Sequence, residues 1–146
     1  MKKYFKTLVL LLIVISINLG CENKQQKKNQ AGETSVTQGN LGEVIEISPS
    51  EFKEKSINHT IIDIRTPYEF KQGYIEGAVN INLYDREFLE KFENYNKNEP
   101  IFLYCRSGNR TSSAAKKLIK AGFMQVYDLQ GGILNWEKNK NKIKKE

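Results

Sequence analysis

The stretch from Ile101 to Gly122 constrains the fold more than any other part of the chain. Residues 101–104 are consecutive apolar residues after Pro100, a pattern typical of a strand buried on both faces of a parallel sheet. A short polar loop follows, and residues 112–122 then show the apolar stripe of an amphipathic helix that ends at Gly122. A buried strand followed directly by a helix is the unit from which α/β folds are built.

Cys105 is predicted to lie at the carboxyl end of this strand, at the sheet edge where open α/β sheets bind ligands. A thiol is nucleophilic only as the thiolate, and a helix amino end with nearby arginines favours that form. Gly108 permits the backbone dihedrals with which loop N–H groups can form an anion-binding concavity. We therefore predict that Cys105 is a catalytic nucleophile, and a buried, inert cysteine is the alternative. The predicted substrate-binding residues are Arg106, Ser107, Gly108, Asn109 and Arg110.

The first 20 residues have the pattern of an export signal. A lysine-rich start precedes an apolar run over residues 8–17, which is too short for an ordinary membrane-spanning helix. Gly20 followed by Cys21 resembles a bacterial lipoprotein cleavage site, and this resemblance implies that Cys21 becomes the lipidated first residue of the mature protein. We expect an exported, membrane-anchored lipoprotein on the periplasmic or cell-surface side, and an uncleaved amino-terminal anchor is the alternative.

The composition divides the rest of the chain into three parts. Residues 21–43 are polar and rich in Gln, Asn, Lys and Gly, so a lipid-anchored flexible linker is predicted there. The folded domain is expected over residues 44–138 and a basic tail over residues 139–146. The tail is predicted to be a solvated, fraying helix end, with contact to anionic lipid as the alternative.

The net charge of +6 arises mainly outside the predicted domain, because residues 44–136 hold twelve basic and twelve acidic residues. This balance gives no indication of a nucleic-acid surface. If Cys21 carries lipid, Cys105 has no disulfide partner within the chain, and a lone thiol in an exported protein is a sign of reactivity. A single histidine, His59, and one free cysteine cannot form a metal site alone, so neither a metal nor a cofactor is predicted.

Strands alternate with helices along the predicted domain. Capping boxes at Ser48 and Thr66, each followed by proline, predict two short helices. Apolar residues at helical spacing predict a helix over residues 85–94, and the last helix follows Gly132 with Ile133, Leu134 and Trp136 as its docking face. Strands are predicted at residues 44–47, 60–65, 77–81, 101–104 and 124–129. The short spacings imply an α/β fold, a five-stranded, mainly parallel sheet with helices on both faces.

Five stretches, in this order and spacing, resemble the rhodanese domain, a sulfurtransferase module, in its small single-domain form. They are residues 62–65, 69–70, 73–81, 105–110, and 129–132 together with Trp136. The resemblance covers about residues 44–138 and implies the rhodanese-like fold. It also implies that Asp63, Arg65 and Glu69 have supporting roles at the same sheet edge, and we expect at least one of these carboxylates to pair with a loop arginine.

The loop from Cys105 to Arg110 has six residues, the length found in the sulfurtransferases that the chain resembles, whereas related phosphatases of this fold carry one residue more. A tighter ring of N–H groups suits one sulfane sulfur rather than a tetrahedral phosphate. The resemblance therefore implies transfer of sulfur from a small anionic donor such as thiosulfate, through a Cys105 persulfide, to cyanide or a thiol. The alternatives are a non-turnover sulfur carrier or binding module on the membrane surface, served by an exported protein partner, and, less favoured, an enzyme of the phosphatase or arsenate reductase type.

Overall fold

The computed structural model describes residues 42–145, and these residues belong to one compact unit. The predicted signal peptide, Cys21 and the linker up to residue 41 lie outside the described residues. No helix within residues 42–145 combines the length and the apolar character needed to cross a bilayer. The elements in chain order are β1 (Glu43–Ile47), α1 (Pro49–Lys55), β2 (Thr60–Asp63), α2 (Pro67–Lys71), β3 (Ala78–Asn80), a 3-10 helix (Glu90–Phe92), β4 (Ile101–Tyr104), α3 (Asn109–Lys120), β5 (Gln125–Leu129) and α4 (Gly132–Lys138).

The five strands form one sheet in the order β1-β5-β4-β2-β3, and every neighbouring pair is parallel. The predicted α/β fold with a five-stranded parallel sheet is therefore confirmed. Tyr104 at the end of β4 is in register with Asp63 at the end of β2, while Leu103 is in register with Asp128 of β5. Because all carboxyl ends meet at one edge, Cys105 follows the central strand at the middle of that edge.

Each face of the sheet is covered by its own apolar core. On one face, β4 contributes Ile101 and Leu103, and these pack with Leu118 of α3 and with Phe92. On the other face, Phe102 and Tyr104 of the same strand pack with residues of α1 and α4, including Phe52, Ile133 and Trp136. The residues of both cores named here lie within the described range.

Two of the predicted helix starts are present as capping boxes. The Thr66 hydroxyl accepts a hydrogen bond from the Glu69 backbone N–H at 3.3 Å, and the Glu69 carboxylate accepts from the Thr66 N–H at 3.1 Å. Ser48 and Glu51 form the same pair at the start of α1. Reciprocal capping satisfies N–H groups that a helix start leaves without partners, which explains why helices as short as α1 and α2 begin where they do.

The predicted helix over residues 85–94 is wrong. This segment consists of turns and a single 3-10 turn, although Phe88 and Phe92 are buried at 3% and 1% exposure as their spacing indicated. The Asp85 carboxylate accepts hydrogen bonds from Asn82 at 2.7 Å and from the ammonium group of Lys91. Such local side-chain hydrogen bonds compete with the helical pattern, so the apolar anchors are reached without a regular helix.

Two further expectations about the carboxyl-terminal part differ from the structure. Leu134 is 49% exposed, so the docking face of α4 consists of Ile133 and Trp136 without it. The chain after α4 is not a fraying helix end, because the Trp136 indole N–H donates to the Lys142 carbonyl at 3.0 Å and Lys144 forms a backbone bridge with Tyr74. The lysine side chains there are exposed, as expected for a basic tail, while its backbone is fixed to the domain.

Candidate active site

Cys105 is the first residue after the central strand and has no exposed surface. Its side chain belongs to the core on the α3 face. The Gly108 backbone N–H donates a hydrogen bond to the Cys105 Sγ with an N–S distance of 3.2 Å. The loop therefore holds the cysteine sulfur with a backbone donor, which is the arrangement that stabilises a negatively charged sulfur.

Gly108 shapes the loop by adopting a left-handed conformation with φ +93° at the residue that caps α3. Its carbonyl accepts a hydrogen bond from the Thr111 hydroxyl at 2.6 Å. The first N–H groups of a helix have no acceptor within the helix, so the start of α3 directs free donors toward the same loop. Gly108 therefore has the unusual dihedral that its predicted position in the loop requires, while the anion-binding role of the loop and of the helix start stays a prediction.

The second glycine of the Gly131–Gly132 pair packs directly on the loop. A Cβ atom at Gly132 would lie 2.5 Å from the Cys105 carbonyl oxygen and 2.7 Å from the Arg106 carbonyl, so no larger residue fits without displacement. The Ile133 N–H donates to the Cys105 carbonyl at 2.9 Å, and the Leu134 N–H donates to the Arg106 carbonyl at 3.2 Å. The start of α4 thus fixes the first half of the loop.

Arg110 forms a two-pronged ion pair with Glu69 of α2. The guanidinium Nη1 and Nη2 donate to the two carboxylate oxygens at 2.8 and 2.6 Å. The hydrogen bond from Arg110 lowers the pKa of Glu69 to about 2. The same bond raises the pKa of Arg110, and the nearby Cys105 and Tyr84 add to this rise. The expected pairing of a carboxylate with a loop arginine is therefore present, and Arg110 braces the loop from beside the cysteine.

Asp63 and Arg65 form a second, buried ion pair at the end of β2. The Arg65 Nε donates to Asp63 Oδ1 and Oδ2 at 2.9 Å, and Arg65 Nη2 donates to the Gly73 carbonyl at 2.7 Å. Asn80 also donates to the carbonyls of Asp63 and Arg65. Asp63 and Arg65 thus tie the end of β2 to the segment before β3 and brace this edge of the sheet. The partner of Asp63 is Arg65, whereas the partner of Glu69 is an arginine of the Cys105 loop.

The other predicted binding residues of the loop lie on its outer side. Arg106, Ser107 and Asn109 are exposed. Arg106 lines a cleft of about 330 Å³ together with Leu134 and Glu69. A larger groove, of about 690 Å³, contains none of the predicted site residues, since it lies at the opposite edge of the sheet around the start of β2. Arg106 is thus the exposed cation of the loop, and the cleft that it lines also contains Arg65 and Glu137.

Three buried polar residues near the site were not predicted from the sequence. The Tyr104 hydroxyl accepts a hydrogen bond from the Ile75 N–H at 3.1 Å, and burial raises the pKa of Tyr104. Thr111 has no exposed surface, and Asp128 is 7% exposed. For Thr111 and Asp128 the available signal was a polar side chain at a position where the helix or strand pattern predicts an apolar one, whereas Tyr104 was counted among the apolar residues of its strand. Within residues 42–145, no group of three or more His, Cys, Asp or Glu side chains is placed to hold a metal ion.

The described residues thus form a parallel α/β domain in which a cysteine ends the central strand and is held by the loop that starts the next helix. The model of the rhodanese-like domain family matches residues 48–139, and the chain belongs to this family.

Relatives of the chain include proteins whose names refer to sulfur transfer. The chain is 36% identical over 91 residues to thiosulfate sulfurtransferase 16, chloroplastic, of Arabidopsis thaliana, covering 56% of this chain and 76% of that protein. It is 33% identical over 102 residues to YrkF of Bacillus subtilis, whose name gives it a candidate role as a sulfur carrier; the match covers 66% of this chain and 53% of YrkF.

A solved rhodanese-related protein from Thermoplasma volcanium has the same fold, with a TM-score of 0.63 and 26% identity. The match covers 70% of this chain and 99% of the solved one. That solved chain thus consists of little more than this domain, which supports the use of the fragment 42–146 as an independently folding unit.

Proposed function

We propose that this protein is a sulfurtransferase that moves a sulfane sulfur from a small anionic donor such as thiosulfate to cyanide or a thiol through a persulfide on Cys105. The observation that carries the proposal is the hydrogen bond from the Gly108 backbone N–H to the Cys105 sulfur at the start of α3, with an N–S distance of 3.2 Å. In the first step the thiolate attacks the outer sulfur of thiosulfate, an S–S bond forms on Cys105, and sulfite leaves with the electron pair of the broken bond. In the second step the acceptor attacks the outer persulfide sulfur and the Cys105 thiolate is released.

The loop residues have separate roles in this proposal. Gly108 donates to the sulfur that carries negative charge in both the thiolate and the persulfide. Arg110, fixed by Glu69, keeps a positive charge near that sulfur, whereas Arg106 at the rim attracts the anionic donor. Ser107 and Asn109 are exposed at the entrance and would contact the donor there.

Access to the sulfur requires motion of the loop. Cys105 has no exposed surface, so a donor reaches its sulfur only when the loop opens. A closed loop also protects the persulfide from unwanted acceptors until the proper one binds. The natural acceptor in this proposal is a thiol, and an exported protein that presents one is a suitable partner.

The proposal is tested by steady-state kinetics on the full chain in mild detergent, with thiosulfate as donor and cyanide as acceptor. Double-reciprocal plots at several cyanide concentrations should give parallel lines, since sulfite leaves before the acceptor reacts. Cys105→Ser should lose the activity, and Cys21→Ser, which removes the chain's other cysteine, is the matched control and should retain it. Equal loss in both variants, or activity in Cys105→Ser, would refute the role of Cys105.

The second candidate function is that of a sulfur carrier, which is loaded by a partner and does not turn over free thiosulfate. The similarity to YrkF is the observation that favours it. A carrier would accept sulfur on Cys105 from a persulfide donor and keep it without releasing product to cyanide at a useful rate. An enzyme of the phosphatase or arsenate reductase type would instead hydrolyse an aryl phosphate or reduce arsenate, and we expect the six-residue loop to do neither.

We also propose that Cys21 carries lipid and anchors the domain to the outer face of a membrane, in the periplasm or at the cell surface. The basic start, the apolar run over residues 8–17 and the small residue before Cys21 support this. Metabolic labelling with a fatty-acid probe should give a labelled band for the wild-type chain that Cys21→Ser abolishes. An unlabelled wild-type chain would contradict the proposed anchor.

A further inference from the structure

A groove of about 690 Å³ lies at the edge of the sheet where the strands begin, away from the Cys105 loop. Its lining includes the buried side chains of Ile61, Ile75 and Trp136, the last of which is the single tryptophan of the chain. The end of α1 and the segment after α4 border the groove. None of the residues assigned to sulfur transfer lines it, so the proposed reaction does not explain this surface.

The groove carries an excess of positive charge. Lys53, Lys140 and Lys142 line it, and none of the three forms an ion pair among residues 42–145. The carboxylate in the lining is that of Glu76, which pairs with Lys144 at 3.0 Å. Unpaired cations beside apolar side chains are complementary to a ligand that is anionic and partly apolar.

The backbone fixes two of these lysines at the groove. The Lys140 N–H donates to the Glu137 carbonyl at 2.8 Å, and the Asn141 N–H donates to a carbonyl of α4 at 3.3 Å. This pair of bonds closes a helix at a left-handed residue, which is Lys140 with φ +59°, although glycine is preferred at that position. The indole of Trp136 donates to the Lys142 carbonyl at 3.0 Å. Lys140 and Lys142 are therefore held beside the groove by the domain.

An exposed apolar side chain lies at the same groove. Ile57, in the turn after α1, is 64% exposed. The next residue is Asn58 with φ +64°, and Asn58 and Lys140 are the two non-glycine residues with positive φ among residues 42–145. The helix dipole alone accounts for a lysine in a last helical turn, such as Lys53, but not for these features. Uncommon backbone and exposed apolar surface that coincide with unpaired cations indicate a binding surface.

The direction of the strands favours one kind of ligand. Because every neighbouring pair of strands is parallel, β1 begins at the same edge as the groove, and the preceding chain joins the domain there. A bilayer that held this preceding chain would face the groove. Residues 22–41 contain three lysines and two glutamates, so they are not themselves a complementary acidic ligand. Lysines beside an exposed isoleucine match a layer of anionic lipid headgroups above an apolar interior.

We propose that this groove binds the headgroups of an anionic lipid bilayer and that the domain rests on the membrane by this edge. The lysines supply the electrostatic attraction, and Ile57 enters the headgroup layer. The Cys105 loop, at the other edge, then points into the aqueous compartment, where donor and acceptor reach it. The contact depends on the described residues alone, and only its use in the cell rests on the proposed anchor at Cys21.

The test is binding of the fragment 42–146 to vesicles of phosphatidylcholine with and without phosphatidylglycerol, measured by co-sedimentation and by Trp136 fluorescence. Binding should require phosphatidylglycerol, weaken as salt rises above about 0.1 M and shift the Trp136 emission. The fragment lacks Cys21, so this result is independent of the labelling experiment that tests the anchor. Absence of binding, or equal binding without the anionic lipid, would overturn the proposal. Polyglutamate that shifts the Trp136 emission where vesicles do not would also overturn it, in favour of an acidic protein partner.

Charge variants separate the groove from net charge, and all four lysines concerned are exposed. One lysine near an anionic surface contributes about fivefold to binding, so Lys53→Gln combined with Lys142→Gln should weaken it roughly 25-fold. The matched control, Lys71→Gln combined with Lys116→Gln, removes equal charge outside the groove and should weaken binding less than about twofold in 0.1 M salt. Ile57→Ser should weaken binding without changing its salt dependence. Equal weakening in the two double variants would show that net charge binds the lipid and would refute the role of the groove.

Discussion

Replacement of Gly132 by alanine should disturb the loop in a way that the structure lets us calculate. Gly132 has φ +60°, and an alanine in the left-handed region costs about 1–2 kcal/mol. Its Cβ would also lie 2.5 Å from the Cys105 carbonyl oxygen, which is backbone and cannot rotate away. Relief of such overpacking costs about 1–3 kcal/mol more, so Gly132→Ala should lower the free energy of unfolding by roughly 2–5 kcal/mol in total.

Gly77→Ala is the matched control for this prediction. Gly77 has φ +83°, and a Cβ there would have no neighbour within 4 Å, so its alanine variant carries the conformational cost without the clash. Urea denaturation should show Gly77→Ala less destabilised than Gly132→Ala by about 1–3 kcal/mol. Only Gly132→Ala should also slow sulfur loading of Cys105, roughly tenfold or more, because it displaces the loop. Equal stability and equal loading rates in the two variants would refute the close-packing argument.

Three further predictions concern polar groups around the site. Glu69→Gln should lower the free energy of unfolding by about 1 kcal/mol at pH 7, since the Arg110 pair is partly exposed. The pKa of Glu69 lies at about 2, below its ordinary value. Denaturation curves should therefore show the stability difference between wild type and Glu69→Gln shrinking as pH falls from about 4.5 through 2. Tyr104→Phe leaves the Ile75 N–H without an acceptor and should cost about 1–2 kcal/mol by urea denaturation. The raised pKa of Asp128 makes wild-type stability fall by about 2 kcal/mol as pH rises from about 4 to 6, and a thermal-unfolding series in which Asp128→Asn shows the same fall would contradict its assignment.

The order of the elements could be predicted because local signals were strong and agreed with one another. Two capping boxes, at Ser48 and Thr66, and the apolar run over residues 101–104 set element type and position independently of tertiary contacts. The helix predicted over residues 85–94 failed because its signal was the spacing of Phe88, Leu89 and Phe92, of which only the two phenylalanines are buried. That spacing reports which side chains are buried, and turns joined by local hydrogen bonds can bury them equally well.

The residues of the Cys105 loop were also predictable from the sequence, whereas the buried residues of other elements that pack near the loop were not. The placement of Cys105, Gly108 and Arg110 followed from adjacency in sequence. The burial of Asp128 in β5 depends on strand order and on which face of β5 packs against α3, so it could not be read from neighbouring residues in the sequence. Leu134 was placed on the wrong side of α4, because in a helix of seven residues an apolar side chain near the cleft resembles a core residue in the pattern.

The central claim is that Cys105 carries the sulfur during transfer, and intact mass spectrometry of the fragment 42–146 tests it most directly. After incubation with thiosulfate, the wild-type fragment should gain one sulfur, about 32 Da, and lose it on addition of cyanide. Cys105→Ser should show no gain. A wild-type fragment that gains no mass at any thiosulfate concentration, or a Cys105→Ser fragment that gains the same mass, would contradict the account.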